Sequence, residues 1–183
     1  MLKKWKRVAT ETLFKNKWHE YRHDTFTLPN GKAGNYYYTH NWGSVYIVAV
    51  DRDKRVVLHR EYRYLFDRES VEFPAGQVGE GRTSSAAARA ELAEEAGLKA
   101  AHLKQIGKIA YAVGYSTDWA DVYVAWDVSP EFAERDETEE FEMIHATPEE
   151  IESMIQSGEM FGSSAIAAWH IARPHVLKLI DTL

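Results

Sequence analysis

The chain contains no cysteine, so neither disulfides nor thiol chemistry can be part of it. It has no surplus of positive charge. Twenty-two Lys and Arg against 28 Asp and Glu give a formal net charge of −6, which argues against a general nucleic-acid binder, whose surface carries a basic face. No apolar run approaches the roughly 18 residues of a membrane span, so no membrane role is expected. The opening stretch, MLKKWKRVATETLF, lacks the apolar core of a signal peptide. Internal repeats and low-complexity tracts are also missing. What remains is a globular composition: 183 residues, 45% hydrophobic, 27% charged and 13% aromatic. That is enough for one well-buried domain with a small appendage. A cytoplasmic location is the expectation.

One stretch organises the rest: residues 76–98, GQVGEGRTSSAAARAELAEEAGL. Its first half reads as a loop, with Gly76, Gly79 and Gly81 close together. Its second half reads as a short helix. Thr83, Ser84 or Ser85 can cap the start, the alanine run favours the helical state, and Gly97 suits a left-handed exit. Glu91, Glu94 and Glu95 fall in the last turns, at spacings that share a face, with Cβ atoms about 5–6 Å apart. The helix dipole places its negative pole there, where cations are favoured. Like charges stacked this way destabilise a bare helix by a few tenths of a kcal/mol per pair, and a bound divalent cation reverses the sign. Hard oxygen ligands are what Mg²⁺ takes. The plain alternative is a solvated acidic helix. On its other side Ala88, Leu92 and Ala96 recur every four residues and can face a core.

These residues resemble the 23-residue box of the Nudix hydrolases. Gly76, Glu91, Leu92, Glu94, Glu95, Gly97 and Leu98 fall on its places. Two positions depart: Arg82 stands where the box has its first Glu, and Ala90 where it has Arg. Arg89 is one residue away, but a single helical step turns a side chain by about 100°, so it points away from the carboxylates. The expectation is that Arg82, or another base, orients a triad glutamate. The resemblance implies a Nudix-type α/β/α sandwich with a mixed sheet. It also implies that Glu91, Glu94, Glu95 and the backbone carbonyl of Ala75 hold two or three Mg²⁺ ions, with Mn²⁺ as a substitute.

Residues 1–42 read as β structure, with strands at 10–14, 18–28 and 36–39 and turn signals at Asn16 and Pro29-Asn30-Gly31. This β extension resembles the N-terminal region of the ADP-ribose and nucleoside-diphosphate-sugar pyrophosphatase branch. By that resemblance it packs across a homodimer, and Trp18 stacks on the base of the substrate; core packing is the alternative for Trp18. The Nudix domain is then expected over 43–183. Strands are expected at 44–50, 55–59 and 70–73. In the same branch an Arg following the second of these reaches the diphosphate, and Arg63 matches it, with Arg60 as the weaker candidate. A guanidinium suits phosphate because it offers a planar fork of donors. Beyond the box, strands are expected over 101–112 and 121–126.

Residues 131–142 form an acidic loop. A solvated charge run is the plain reading. In the branch, however, a glutamate there takes the proton of the attacking water, and Glu137, Glu139 and Glu140 are the candidates, acting with Glu95. A strand at 141–146 and a helix at 148–157 capped by Thr147 follow. A second helical stretch, 163–183, is kinked or divided by Pro174. The expected activity is Mg²⁺-dependent hydrolysis of the diphosphate of ADP-ribose, or of a related nucleotide sugar, to a nucleoside monophosphate and a sugar phosphate. Dinucleoside polyphosphates, coenzyme A and NADH are the alternative substrates. A non-hydrolysing nucleotide-sugar sensor is the alternative outside enzymes.

Overall fold

The computed structural model describes residues 2–133 and 140–182. The chain divides into two compact units, one formed by residues 1–42 with 110–119, the other by 43–109 with 120–183.

The first unit carries a three-stranded sheet of β1 (Lys6–Lys15), β2 (Glu20–Thr27) and β3 (Ala33–His40), in that order, all antiparallel. Asn16 closes the first turn by accepting from the backbone N–H groups of Trp18 and His19. Every residue of β1 is exposed, Val8, Leu13 and Phe14 included, and the register slips at two points along this edge strand. The sheet's buried carboxylate Asp24 takes Thr10 and Tyr38 hydroxyls and the Arg7 guanidinium. Lys15 and Arg22 both bond Glu20 and hold its carboxyl below the ordinary value of 4.5.

The second unit is built on a mixed seven-stranded sheet. Its main path runs β10 (Glu142–Ala146), β5 (Val56–Arg63), β4 (Ser44–Val50), β9 (Trp119–Pro130), β8 (Leu98–Ala110). Two short strands complete it, β6 (Arg68–Glu72) beside β5 and β7 (Ala75–Gln77) beside β4. β4 is parallel to β9 and antiparallel to β5 and β7. Because strand side chains alternate, β4 can be apolar on both faces, and it is buried over nearly its whole length. Val45, Ile47 and Ala49 meet Ala87, Ala88 and Leu92 of α1 (Ser84–Ala96). The second long helix, α3 (Ser163–Thr182), also packs on β4 and buries Ala165, Ala168 and Trp169, with Trp169 stacked on Phe73 at 6.1 Å. The expected layered arrangement, a mixed sheet with helices, is therefore what the chain adopts.

Several local expectations change at their edges. The expected strand at 55–59 runs on to Arg63, because β6 pairs with it from His59 to Arg63. Residues 75–77, expected as loop, pair with β4 as β7. The long stretch after the box is a single strand, β8. Helix α2 (Pro148–Ser157) starts at a full capping box, in which Thr147 and Glu150 bond each other's backbone N–H. Pro174 does not divide α3, which continues through it.

Leu92 is the largest fully buried side chain on α1. Leu92→Ala is expected to lower stability by about 2–5 kcal/mol, read by urea unfolding. Glu20 gives a pH signature. A carboxyl whose folded pKa lies below its unfolded value stabilises the folded state above the unfolded pKa. That contribution disappears as pH falls through the folded value. Glu20→Gln should therefore flatten the acid-side loss of stability, measured as melting temperature between pH 6 and 3.

Candidate active site

The second unit brings the acidic end of α1 onto the short strand β7. α1 starts on Thr83, whose hydroxyl accepts from the N–H of Ala86, and stops at Gly97, whose left-handed backbone (φ 65°) lets its N–H reach back to Leu92 and Ala93. No basic residue lies in its last turn. Glu95 is buried and its Oε2 accepts from the backbone N–H of Ala75 at 2.9 Å. Glu91 lies against Gly76, where a Cβ would overlap its carboxylate. Only glycine admits that approach. Glu94 is half-buried on the same helix end. Glu95 does not lie opposite the core stripe, as the simple two-faced reading of the helix suggested; it shares the buried side with Ala88 and Leu92.

The residues around Ala75 and Gly76 fit a hard divalent cation. The glycine leaves a cradle that holds a carboxylate and would be filled by any side chain, and the donors on offer are carboxylate oxygens beside loop backbone. Among the described residues, no three His, Cys, Asp or Glu side chains already stand in a geometry that could hold a metal ion.

The two departures from the box have visible consequences. Arg82 donates from Nη2 to the carbonyl of Ala86 at 3.2 Å, in the first turn of α1, and does not reach a triad glutamate. Arg89 donates to the carbonyl of Ala100. The expectation that Arg82 orients the triad is corrected on this point: its side chain bonds the helix backbone at the opposite end from the carboxylates.

Strand β5 supplies the neighbouring charges, sorted by alternation. On one side stand His59, Glu61 and Arg63. His59 is buried, with Nε2 3.3 Å from Glu61 Oε1 and Nδ1 3.8 Å from Glu95 Oε2. Arg63 makes a two-pronged ion pair with Glu72, its Nε at 2.8 Å from Oε1, and Nη2 also reaches Glu61 at 2.6 Å. Burial pulls the Arg63 pKa down. The hydrogen bonds and negative charges of Glu72 and Glu61 outweigh it and push the pKa above the ordinary guanidinium value. The other side of β5 sends Arg60 into a separate group with Glu69, Glu142 and Glu159, at 3.7, 3.4 and 3.3 Å.

Glu140 is exposed and, with Arg60, Glu61, Glu69 and Glu142, lines a cavity of about 340 Å³. Glu137 and Glu139 lie outside the described residues. Trp18 stands in the turn after β1, half-exposed, with Lys17 Nζ 4.2 Å above its ring. Thus Ala75, Glu91 and Glu95 come together in space, and Arg63 joins them through Glu61 and His59. Sequence reasoning missed His59, Glu61 and Glu72. The available signal was the placement of polar residues at every second position after an apolar strand.

Residues 40–166 match the NUDIX domain and residues 5–39 match the nucleoside diphosphate sugar hydrolase N-terminal domain. The chain belongs to the NUDIX family and is a Nudix hydrolase, a class that generally uses divalent metals. It is 28% identical over 165 residues to an ADP-ribose pyrophosphatase of Bacillus subtilis (strain 168), a span covering 89% of each chain. It is 26% identical to a methanol dehydrogenase activator of Bacillus methanolicus, again over 89% of each. A crystal structure of an ADP compounds hydrolase superposes with a TM-score of 0.84 at 22% identity, covering 98% of this chain and 97% of that one; at this identity the likeness concerns the fold.

Gly76→Ala tests the cradle. The added methyl displaces the Glu91 carboxylate, and hydrolytic kcat should fall roughly a hundredfold, the usual cost of misplacing a reacting geometry by about 1 Å. Circular dichroism should remain that of the wild type.

Proposed function

We propose that this protein hydrolyses the diphosphate of ADP-ribose, or of a closely related nucleoside diphosphate sugar, to a nucleoside monophosphate and a sugar phosphate, with Mg²⁺ as the metal and Mn²⁺ as a substitute. The observation that carries the reading is the packing of Glu91 and Glu95 around Ala75 and Gly76. The names of the relatives support the substrate class: an ADP-ribose pyrophosphatase aligned over most of both chains, and a match to the nucleoside diphosphate sugar hydrolase N-terminal domain.

Glu91, Glu94, Glu95 and the Ala75 carbonyl would hold the metal. When bound, it polarises phosphoryl oxygens and lowers the pKa of a coordinated water. The remaining tasks belong to the chain. A water attacks one phosphorus, the bond from that phosphorus to the bridging oxygen breaks, and the second phosphate leaves with the bridging oxygen. A glutamate of the acidic loop takes the water's proton. Glu140, exposed at the rim of a cavity beside β5, stands at the root of that loop, and Glu137 and Glu139 are the other candidates. Arg63 is the residue for the diphosphate. Its fork is already oriented by Glu72 and Glu61, so it meets the substrate with a fixed plane. Arg60, tied to three other carboxylates, is the second candidate.

A homodimer accompanies this reading. A three-stranded sheet of this size does not bury itself, and β1 leaves Val8, Leu13 and Phe14 open beside the exposed Trp18. A second copy of the chain would cover them and bring Trp18 to the base of the substrate. The described helices include none long and apolar enough to cross a membrane, and a cytoplasmic location is part of this reading.

The deciding assay is product release from ADP-ribose with Mg²⁺, followed by chromatography, against a panel containing other nucleotide sugars, dinucleoside polyphosphates, coenzyme A and NADH. ADP-ribose should give AMP and ribose phosphate with the highest kcat/KM. Glu95→Gln should lower kcat by at least about a hundredfold, on the scale set by losing a group that acts in the transition state. No release from any diphosphate would overturn the reading.

A further inference from the structure

His59 is a fully buried, ionisable side chain in the middle of the sheet, to which the proposed reaction gives no task. Its backbone is fixed on both edges, opposite Glu72 of β6 on one side and Met143 of β10 on the other. Its ring packs on Phe141 at 4.4 Å. One ring nitrogen, Nε2, faces Glu61 at 3.3 Å, while Nδ1 is buried without a hydrogen bond, 3.8 Å from Glu95 Oε2. Buried polar atoms are rarely left without a partner, so such an atom beside a carboxylate calls for a reason.

We propose that His59 is a positioning residue for Glu95. The backbone N–H of Ala75 bonds Oε2 of that carboxylate from β7, and Nδ1 of His59 stands 3.8 Å from the same oxygen on the β5 side. Neither touches Oε1. Closing the gap takes a movement of about 1 Å, which brings the pair into hydrogen-bond range. His59 stands on a strand held on both edges, so it sets the carboxylate plane more rigidly than a loop side chain could. The inference rests on the reading that Glu95 is a metal ligand.

The test is Mn²⁺ affinity of the substrate-free protein by electron paramagnetic resonance, with melting temperature measured alongside. His59→Leu fills the space but has no donor and should weaken Mn²⁺ binding by roughly 10–100-fold, the range for losing a group that orients a ligand. His59→Gln places its amide near the Nε2 position and should be equally weak, which covers the case in which the leucine variant does not fold. His59→Asn places an N–H where Nδ1 stands and should recover binding to within a few-fold of wild type, at a melting temperature no higher than that of the glutamine variant. A purely structural histidine would not separate Asn from Gln in this way. Wild-type Mn²⁺ binding in the leucine or glutamine variant, or an asparagine variant as weak as the glutamine one, would overturn the proposal. Glu95→Gln is the control. If it binds Mn²⁺ as well as wild type, the assignment of Glu95 as a ligand has failed and this inference goes with it. If Glu95→Gln is weak while the His59 variants are not, only the role of His59 has failed.

Discussion

The second unit turns on one contact: the buried Glu95 carboxylate accepting the Ala75 N–H, with Glu91, four residues earlier on the same helix, lodged against Gly76. A helix ending in glutamates, with no cation in its last turn, is poorly arranged on its own, because the dipole and the neighbouring carboxylates repel one another. It is tolerated because α1 is held elsewhere. Ala87, Ala88 and Leu92 are fully packed against β4, and Thr83 and Gly97 close the two ends. The apolar stripe fixes the helix, and the fixed helix in turn forces the carboxylates onto β7. The placement of the carboxylates at the tip and the hydrophobic burial along the shaft are thus two consequences of a single docking.

Strand β5 extends this arrangement outward. Its apolar first half belongs to the core, and its second half sorts charges by parity: His59, Glu61 and Arg63 toward one side, Arg60 toward the other. Glu72, opposite His59 on β6, completes the pairing by taking the Arg63 fork. The result is a continuous line of polar side chains from Glu95 through His59 and Glu61 to Arg63. In the interior of a protein such pairs matter more than on the surface, because screening by water is reduced and an unpaired member is costly. The same parity keeps Arg60 in another group of carboxylates, beside Glu140 and the cavity at the root of the acidic loop.

The first unit is built on other physics. Three strands give one hydrogen-bonded sheet but no second layer of their own, and the chain compensates with partnered buried carboxylates, Asp24 and Glu20, and with aromatic stacking, as of Trp5 on Phe26 and His23 on Tyr37. The open apolar residues of β1 are what separates this unit from a self-sufficient domain.

Local chemistry was enough to write down much of this in advance. Capping and exit residues, Thr83 with Gly97 and Thr147 with Glu150, act over three or four residues, so the bounds of α1 and α2 could be read from the chain. The nearly continuous apolar run of residues 44–50 placed β4, and the spacing of Gly76, Glu91, Glu94 and Glu95 pointed to the box. Tertiary structure decided the rest. Residues 75–77 became a strand because β4 offered an edge, and β5 ran past His59 to Arg63 because β6 paired with it there. Arg82 settled on Ala86 instead of a triad glutamate, because a long side chain takes the nearest acceptor that the folded backbone presents. His59, Glu61 and Glu72 entered the site through pairing between strands, and cross-strand register is set by contacts distant in sequence. Periodicity told which side of a strand each residue would take, but only the assembled sheet determined what stood across from it.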